Sequence, residues 1–233
     1  MTSYNAVNRP ALARIPSDVR RVLDVGCGDG ALGRALKARR PTEVVGLTHS
    51  RQEASRAREV LDVTLCIDLD SAGLDSDLSA LGRFDCIVCS HVLEHLRDPA
   101  RLLAQLRANL TIRGLVVIAL PNALHYRQRL AFLSGRFRYT DGGIMDRTHY
   151  RFFDWTTARQ LVEEAGLHLV EAAAEGGFPG SRFLGPARPL IDRAAVRAFP
   201  GAFAAQFVLT ARTEAEEPRP RHSDIALAIE RKD

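Results

Sequence analysis

Lysine is nearly missing from this chain: only Lys37 and Lys232 stand among 32 basic residues, so positive charge is carried by arginine. Those arginines are scattered and form no single stripe interleaved with aromatics. A nucleic-acid partner is therefore not expected, despite a formal charge of +4. No apolar run approaches the length of a membrane-spanning helix. Met1–Pro10 is polar and has no apolar signal core, so a cytoplasmic location is expected. Internal repeats are absent.

Cysteine is also sparse: Cys27, Cys66, Cys86 and Cys89. Cys86-x-x-Cys89 has the spacing of half a zinc or redox site, but the run Phe84–Ser90 reads as a strand. Residues three apart on a strand face opposite sides, so these sulfurs cannot share an ion. Buried core thiols are expected instead. With 233 residues, 46% of them hydrophobic, the chain suffices for one well-packed domain and leaves two cramped.

Val22–Gly30 (VLDVGCGDG) is the most informative stretch that is present. An apolar run ends in glycines at 26, 28 and 30, and a helical pattern begins at Ala31. This is a buried strand entering a glycine turn and then a helix, which lets backbone approach a nucleotide-like ligand. Asp24 is placed either to brace the turn or to receive a cationic amino group. The loop alone leaves two ligands open, because Gly26-x-Gly28-x-x-Ala31 also satisfies the NAD fingerprint.

Strand and helix signals then alternate. Strands are expected at 22–25, 43–47, 63–67, 84–89 and 115–120, and helices at 31–39, 51–60 and 99–110. The strands are continuous apolar runs, as in a parallel sheet covered on both faces. The fold class expected is a doubly wound α/β domain. Alternation breaks at Pro121, and residues 121–153 are rich in Arg, Tyr, Phe and Gly with no clear strand. A helix at 156–165, a strand at 168–173, a short helix at 189–198 and a strand at 206–211 complete the pattern. The expected domain spans 1–214, with 121–153 and 176–200 as a substrate lid and 215–233 as a disordered polar tail.

With these positions placed, the chain resembles class I S-adenosylmethionine-dependent methyltransferases, within a bacterial branch carrying the D-R-T-H-x-R-F-F phrase. The resemblance rests on Val22–Gly30, Phe84–Pro99 (FDCIVCSHVLEHLRDP), Gly114–Asn122 (GLVVIALPN) and Asp146–Phe153 (DRTHYRFF), and covers roughly residues 8 to 212. It implies a Rossmann-like, seven-stranded, mostly parallel sheet with an antiparallel last strand. It also implies S-adenosyl-L-methionine as cofactor, with Asp24, Gly26, Cys27, Gly28, Gly30, Thr48, Asp68, Leu69 and Ser90 around it. Cys27 is expected to contribute backbone only. Asp68, or its neighbour Asp70, is placed beside the adenine amino group.

One departure stands out. The family ends its second strand in Asp or Glu, which takes both ribose hydroxyls, whereas Thr48 stands here. Replacing two charge-assisted bonds with one neutral bond weakens binding by about 1–3 kcal/mol unless His49 or Ser50 compensates.

His91-Val92-Leu93-Glu94-His95 reads as H-x-x-E-H, an inverted zinc-protease signature. It emerges directly from a strand, and the methyltransferase phrase accounts for every residue, so no metal is assigned. The resemblance places Ser90 and His91 beside the methyl donor, with Glu94 and His95 as supporting groups in the next helical turn. His91 and His149 are the candidate catalytic residues, since an imidazole suits removal of a hydroxyl proton. Asp146 and Arg147 are weighed as an ion pair that locks the insertion onto the core.

Tyr126, Arg127 and Arg147 are the candidate substrate contacts. With Arg129, Arg136, Arg138, Phe137 and Tyr139, they suggest a basic lid over an anionic acceptor. The expected reaction is methyl transfer to an oxygen, less readily a nitrogen, of a small molecule, sugar or glycan, with a homodimer as a further expectation. The alternative keeps the fold without turnover. Leu120–Arg136 resembles an accessory protein of methionine biosynthesis that partners an acyltransferase.

Overall fold

The computed structural model describes residues 6–71 and 74–213. The expected tail at 215–233 lies outside them. In chain order the elements are α1 (Arg9–Ala13), β1 (Arg21–Val25), α2 (Ala31–Lys37), β2 (Glu43–Thr48), α3 (Arg51–Ala57), β3 (Val63–Cys66), α4 (Leu74–Ala80) and β4 (Phe84–Ser90). They continue with α5 (Pro99–Arg107), β5 (Leu110–Pro121), α6 (Tyr126–Leu133), α7 (Trp155–Glu164), β6 (His168–Gly176), α8 (Arg188–Ala198), α9 (Pro200–Phe203) and β7 (Ala204–Arg212). The strands form one seven-stranded sheet in the order β3-β2-β1-β4-β5-β7-β6. β1 to β5 are mutually parallel, and β7 runs antiparallel to both its neighbours.

Every expected strand is present. Two boundaries move for a physical reason. The helix expected at 99–110 ends at Arg107, and Leu110 opens β5, pairing with Phe84 before the register shifts to Cys86↔Leu115. Gly114 sits in that irregularity, where a Cβ would lie 3.0 Å from Phe84 O and from Thr111. Helices α1, α4, α6 and α9 lie outside the expected helix ranges. Leu74 and Leu78, one helical turn apart on α4, are fully buried.

The sheet divides the core in two. Leu23, Val45, Ile87 and Cys89 pack on one face, and Val22, Val44, Cys86 and Val88 on the other. Cys86 and Cys89 therefore sit in separate cores, as their spacing requires. Burial pushes both thiols well above the ordinary cysteine range.

Gly46 of β2 holds the sheet against the loop that follows β1. A Cβ there would lie 2.4 Å from Leu61 Cδ1 and 2.7 Å from Cys27 Sγ, both in the buried core. Gly46→Ala is expected to destabilise the protein by about 1–3 kcal/mol through overpacking. Thermal unfolding checks this, at about 2–4 °C per kcal/mol for a chain of this size.

Candidate active site

Strand order reverses between β1 and β4, whose chain continuations lead in opposite directions across the sheet. In open α/β sheets the ligand crevice lies outside the carboxyl ends of the strands at that point. Residues 24–30 and 90–91 occupy it here.

The glycine loop is a set of left-handed turns, with φ of 77°, 55° and 84° at Gly26, Gly28 and Gly30. Gly26 N–H and Cys27 N–H both donate to Leu47 O at 2.9 Å, tying the loop to β2. At Gly26 a side chain is excluded twice: by its positive φ, and by Val92, which a Cβ would meet at 2.9 Å. The Cys27 side chain is buried in the core beneath the loop, so its contribution on the ligand side is backbone. Asp24 is 3% exposed, and its Oδ2 is buried without a hydrogen-bond partner. The carboxylate therefore does not brace the turn through that oxygen. Burial pushes its pKa up to about 7. Asp29 Oδ1 in the same loop is likewise buried and unpartnered, a feature the spacing did not reveal.

At the end of β2 the Thr48 hydroxyl donates to Glu53 Oε2 at 2.7 Å. Glu53 lies in the first turn of α3, where Ser50 caps its N–H. The chain thus brings an acid to the place where β2 itself has none. The signal was legible: Ser50-x-x-Glu53 is a helix-start signature. Asp68 is exposed beyond β3, and its Oδ1 accepts the Asp70 N–H in a local turn. Asp70 in turn accepts the Arg97 N–H, and Leu69 is buried in the core.

His91 has φ 53°, the only non-glycine positive φ among the described residues. Such strain persists only where surrounding structure enforces it. Its N–H donates to Ala119 O, while Nδ1 lies 3.3 Å from Glu94 Oε1 and Nε2 lies 2.9 Å from Gln206 Oε1. The proton positions follow from Asn8, whose Oδ1 accepts Ala11 N–H at the start of α1. Asn8 Nδ2 must then donate, and it does so to Ser90 Oγ at 3.1 Å and Gln206 Oε1 at 2.9 Å. Gln206 therefore presents an acceptor oxygen to His91. Burial opposes charge on this ring, but the hydrogen bond and charge of Glu94, helped by Gln206, hold its pKa above the ordinary value.

His149 arrives from the insertion. Tyr150 N–H and Arg151 N–H donate to Glu94 O, and the Arg151 guanidinium donates to Arg97 O, stitching the D-R-T-H phrase onto the turn after β4. Asp146 is buried and accepts from Thr148 N–H and Oγ1–H at 2.8 and 2.7 Å. Arg147 pairs with Asp141 on the surface at 2.8 Å. Burial holds the His149 pKa below the ordinary value; Glu94 opposes this and His95 adds to it. His149 Nδ1 faces Ile144 O at 3.1 Å.

The two expected lid segments are linked through α9, whose Gly201 and Phe203 lie just beyond the second of them. Tyr126 packs near Phe203, Phe203 against Phe178, and Arg129 donates to Gly201 O. Arg127 donates to the Tyr126 hydroxyl at 3.1 Å.

A seven-stranded sheet with one antiparallel insertion and a glycine turn beside the buried Asp24 at the switch point defines a class I S-adenosylmethionine-dependent methyltransferase fold. The chain belongs to the family described as a methyltransferase domain, whose model matches residues 2–172. Its cofactor is S-adenosylmethionine. It is 31% identical to the malonyl-[acyl-carrier protein] O-methyltransferase of Geobacter sulfurreducens, over 74% of this chain and 67% of that one. With a ubiquinone biosynthesis O-methyltransferase of Cereibacter sphaeroides it shares 30% identity, over 70% and 66% of the two chains. Across four such curated relatives the chain spans from 35% to 67% of their length.

The fold is shared with a SAM-dependent methyltransferase of Archaeoglobus fulgidus at a TM-score of 0.61 and 17% identity, covering 91% and 96% of the two chains. It is shared also with the magnesium protoporphyrin IX methyltransferase of Synechocystis with bound SAH, at 0.55 and 15%, covering 88% and 78%. Among the described residues no helix is long and apolar enough to cross a membrane.

Proposed function

We propose that this chain transfers the methyl group of S-adenosylmethionine to an oxygen of a small molecule, sugar or glycan, under a lid built from 121–153 and 176–200. The observation that carries the reading is the pair of unpartnered buried carboxylate oxygens, Asp24 Oδ2 and Asp29 Oδ1, flanking the glycine turn at the switch point. A buried acceptor without a donor is costly, and a ligand bearing an ammonium group and hydroxyls supplies what is missing. The two relatives named as O-methyltransferases support oxygen over nitrogen. They do not favour the accessory-subunit alternative.

In this reading Asp24 receives the amino group of the methionine part, and the loop backbone at Gly26, Cys27, Gly28 and Gly30 carries it. Glu53, held by Thr48, replaces the missing strand-end acid at the ribose. Asp68 and the Leu69 backbone border the adenine. Ser90 and His91 face the methyl. The acceptor hydroxyl enters beside His91 in place of Gln206, with Glu94 orienting the ring through Nδ1. The acceptor oxygen forms a bond to the methyl carbon as the carbon–sulfur bond breaks and its electron pair stays on sulfur. Once the acceptor has displaced Gln206 and the Nε2 proton has been lost to solvent, Nδ1 stays protonated toward Glu94 and the hydroxyl proton leaves to His91 Nε2. The sulfonium is already activated, so alignment supplies most of the rate.

Of the substrate candidates, Tyr126 and Arg127 belong to the lid. Arg147 is held at the surface by Asp141 and is a contact only for an acceptor extending beyond the pocket. The exposed arginines 127, 129, 136 and 138 on the same segment favour an acceptor carrying negative charge.

Calorimetric titration with S-adenosylmethionine, S-adenosylhomocysteine and NAD tests the reading, followed by a labelled-methyl screen of anionic hydroxyl acceptors. Micromolar binding of the adenosyl ligands and none of NAD is expected; failure of both adenosyl ligands would sink it. In the same titration Glu53→Gln is expected to weaken S-adenosylhomocysteine by about 1–3 kcal/mol, the worth of a charge-assisted hydrogen bond. Unchanged affinity would remove Glu53 from the ribose.

A further inference from the structure

The fold separates the two histidines of the H-x-x-E-H phrase and brings a third to the second of them. One donor atom each from Glu94, His95 and His149 lies within 4.8 Å of the other two. His91 is outside this group and serves it from behind, its Nδ1 against Glu94 Oε1.

Three observations point to a ligand. Glu94 is 1% exposed, yet its Oε2 is buried with no hydrogen-bond partner. Buried carboxylate oxygens are rarely left so, because desolvation is uncompensated. His149 Nδ1 faces Ile144 O, and His95 Nδ1 faces Thr148 O at 3.3 Å. A carbonyl only accepts, so each ring carries its proton on Nδ1 and its lone pair on Nε2. Thr148 reinforces this: its hydroxyl donates to Asp146 and so can only accept from His95 Nδ1, 3.0 Å away. Metal-binding imidazoles are held in this manner, and ligating carboxylates are themselves hydrogen-bonded, as Glu94 is by His91.

We propose that Glu94, His95 and His149 bind one divalent first-row transition ion, through a carboxylate oxygen and two imidazole nitrogens, with further positions open to water or to acceptor oxygens. Bonds of about 2.0–2.2 Å draw the three donors together by side-chain rotation. Two nitrogens and one oxygen suit zinc, iron(II), cobalt(II) or manganese(II) better than calcium or magnesium. All three ligands belong to the turn after β4 and the phrase stitched to it, on the acceptor side of His91. An ion there holds an acceptor by its oxygens and polarises a hydroxyl. That role rests on the methyl-transfer reading; the binding of the ion does not.

The test uses the full chain stripped of metal by a chelator. Zn²⁺ is titrated by calorimetry and Co²⁺ by its visible absorption, which reports coordination directly. One equivalent is expected, bound at least tenfold more weakly by His95→Ala and by His149→Gln. Circular dichroism and an S-adenosylhomocysteine titration on each variant establish that it is folded. The proposal is overturned by the absence of stoichiometric binding in the wild type, or by binding that survives loss of both histidines. Wild type that binds S-adenosylhomocysteine but no ion loses the metal site alone. Wild type that binds the ion but neither adenosyl ligand keeps the metal site and loses the methyl-transfer reading.

Discussion

Asp24→Asn is expected to weaken S-adenosylmethionine binding by about 2–5 kcal/mol, roughly 30-fold to several thousandfold, while making the empty protein more stable. Both effects have one cause. The Asp24 carboxyl is buried, and its pKa is raised from 3.8 to about 7. The folded chain therefore binds more protons than the unfolded chain between those two values, and stability falls as pH rises through that window. Above pH 7 the ionised group costs about 4 kcal/mol at most, which an uncharged asparagine of the same shape removes. The bound ligand's ammonium group reverses the balance, because it favours the carboxylate.

Below pH 7, then, binding releases a proton from Asp24, and affinity rises with pH until it levels near 7. Calorimetry in buffers of different ionisation enthalpy checks this: close to one proton released at pH 6 and close to none at pH 8. Thermal unfolding of the unliganded variant checks the stability gain. A variant that binds like wild type and titrates no proton would show that Asp24 does not touch the amino group.

His91→Asn is expected to lower kcat by about 10²–10⁴ with the Kd for S-adenosylhomocysteine unchanged. Asparagine is chosen because the backbone at 91 is left-handed, which asparagine tolerates far better than a β-branched or bulky residue. Alanine there would also leave the buried Glu94 carboxylate without its partner, confounding catalysis with stability. Single-turnover kinetics with an acceptor from the methyl screen separates chemistry from binding. A kcat within threefold of wild type would mean the acceptor proton goes to solvent and that His91 serves only to hold Glu94.

Much of the cofactor side was legible in the chain, because it is local. The apolar run Val22–Val25, the glycines at alternate positions and the helix at Ala31 are contiguous, and each residue's role follows from its neighbours. Thr48 was legible as a gap. Its remedy was not recognised, although Ser50-x-x-Glu53 is a helix-start pattern: a capping glutamate ordinarily turns back to its own helix, and here it turns to Thr48. The acceptor side was legible only as phrases. Asp146 beside Arg147 reads as an ion pair; only the fold shows Asp146 buried against Thr148 and Arg147 reaching Asp141, because the insertion folds back along Glu94 and Arg97.

By itself the sequence determined the alternation of strands and helices, the parallel sheet and the place of the glycine turn, while the antiparallel last strand was implied by the family resemblance alone. The first three arise from periodicity and from backbone conformations that few residues adopt. Only the tertiary structure decided which distant side chains meet: Asn8 and Gln206 at His91, and His149 at Glu94 and His95. Such meetings are set by how loops close over the sheet, and hydrogen bonds between residues far apart in the chain leave no periodic trace in it.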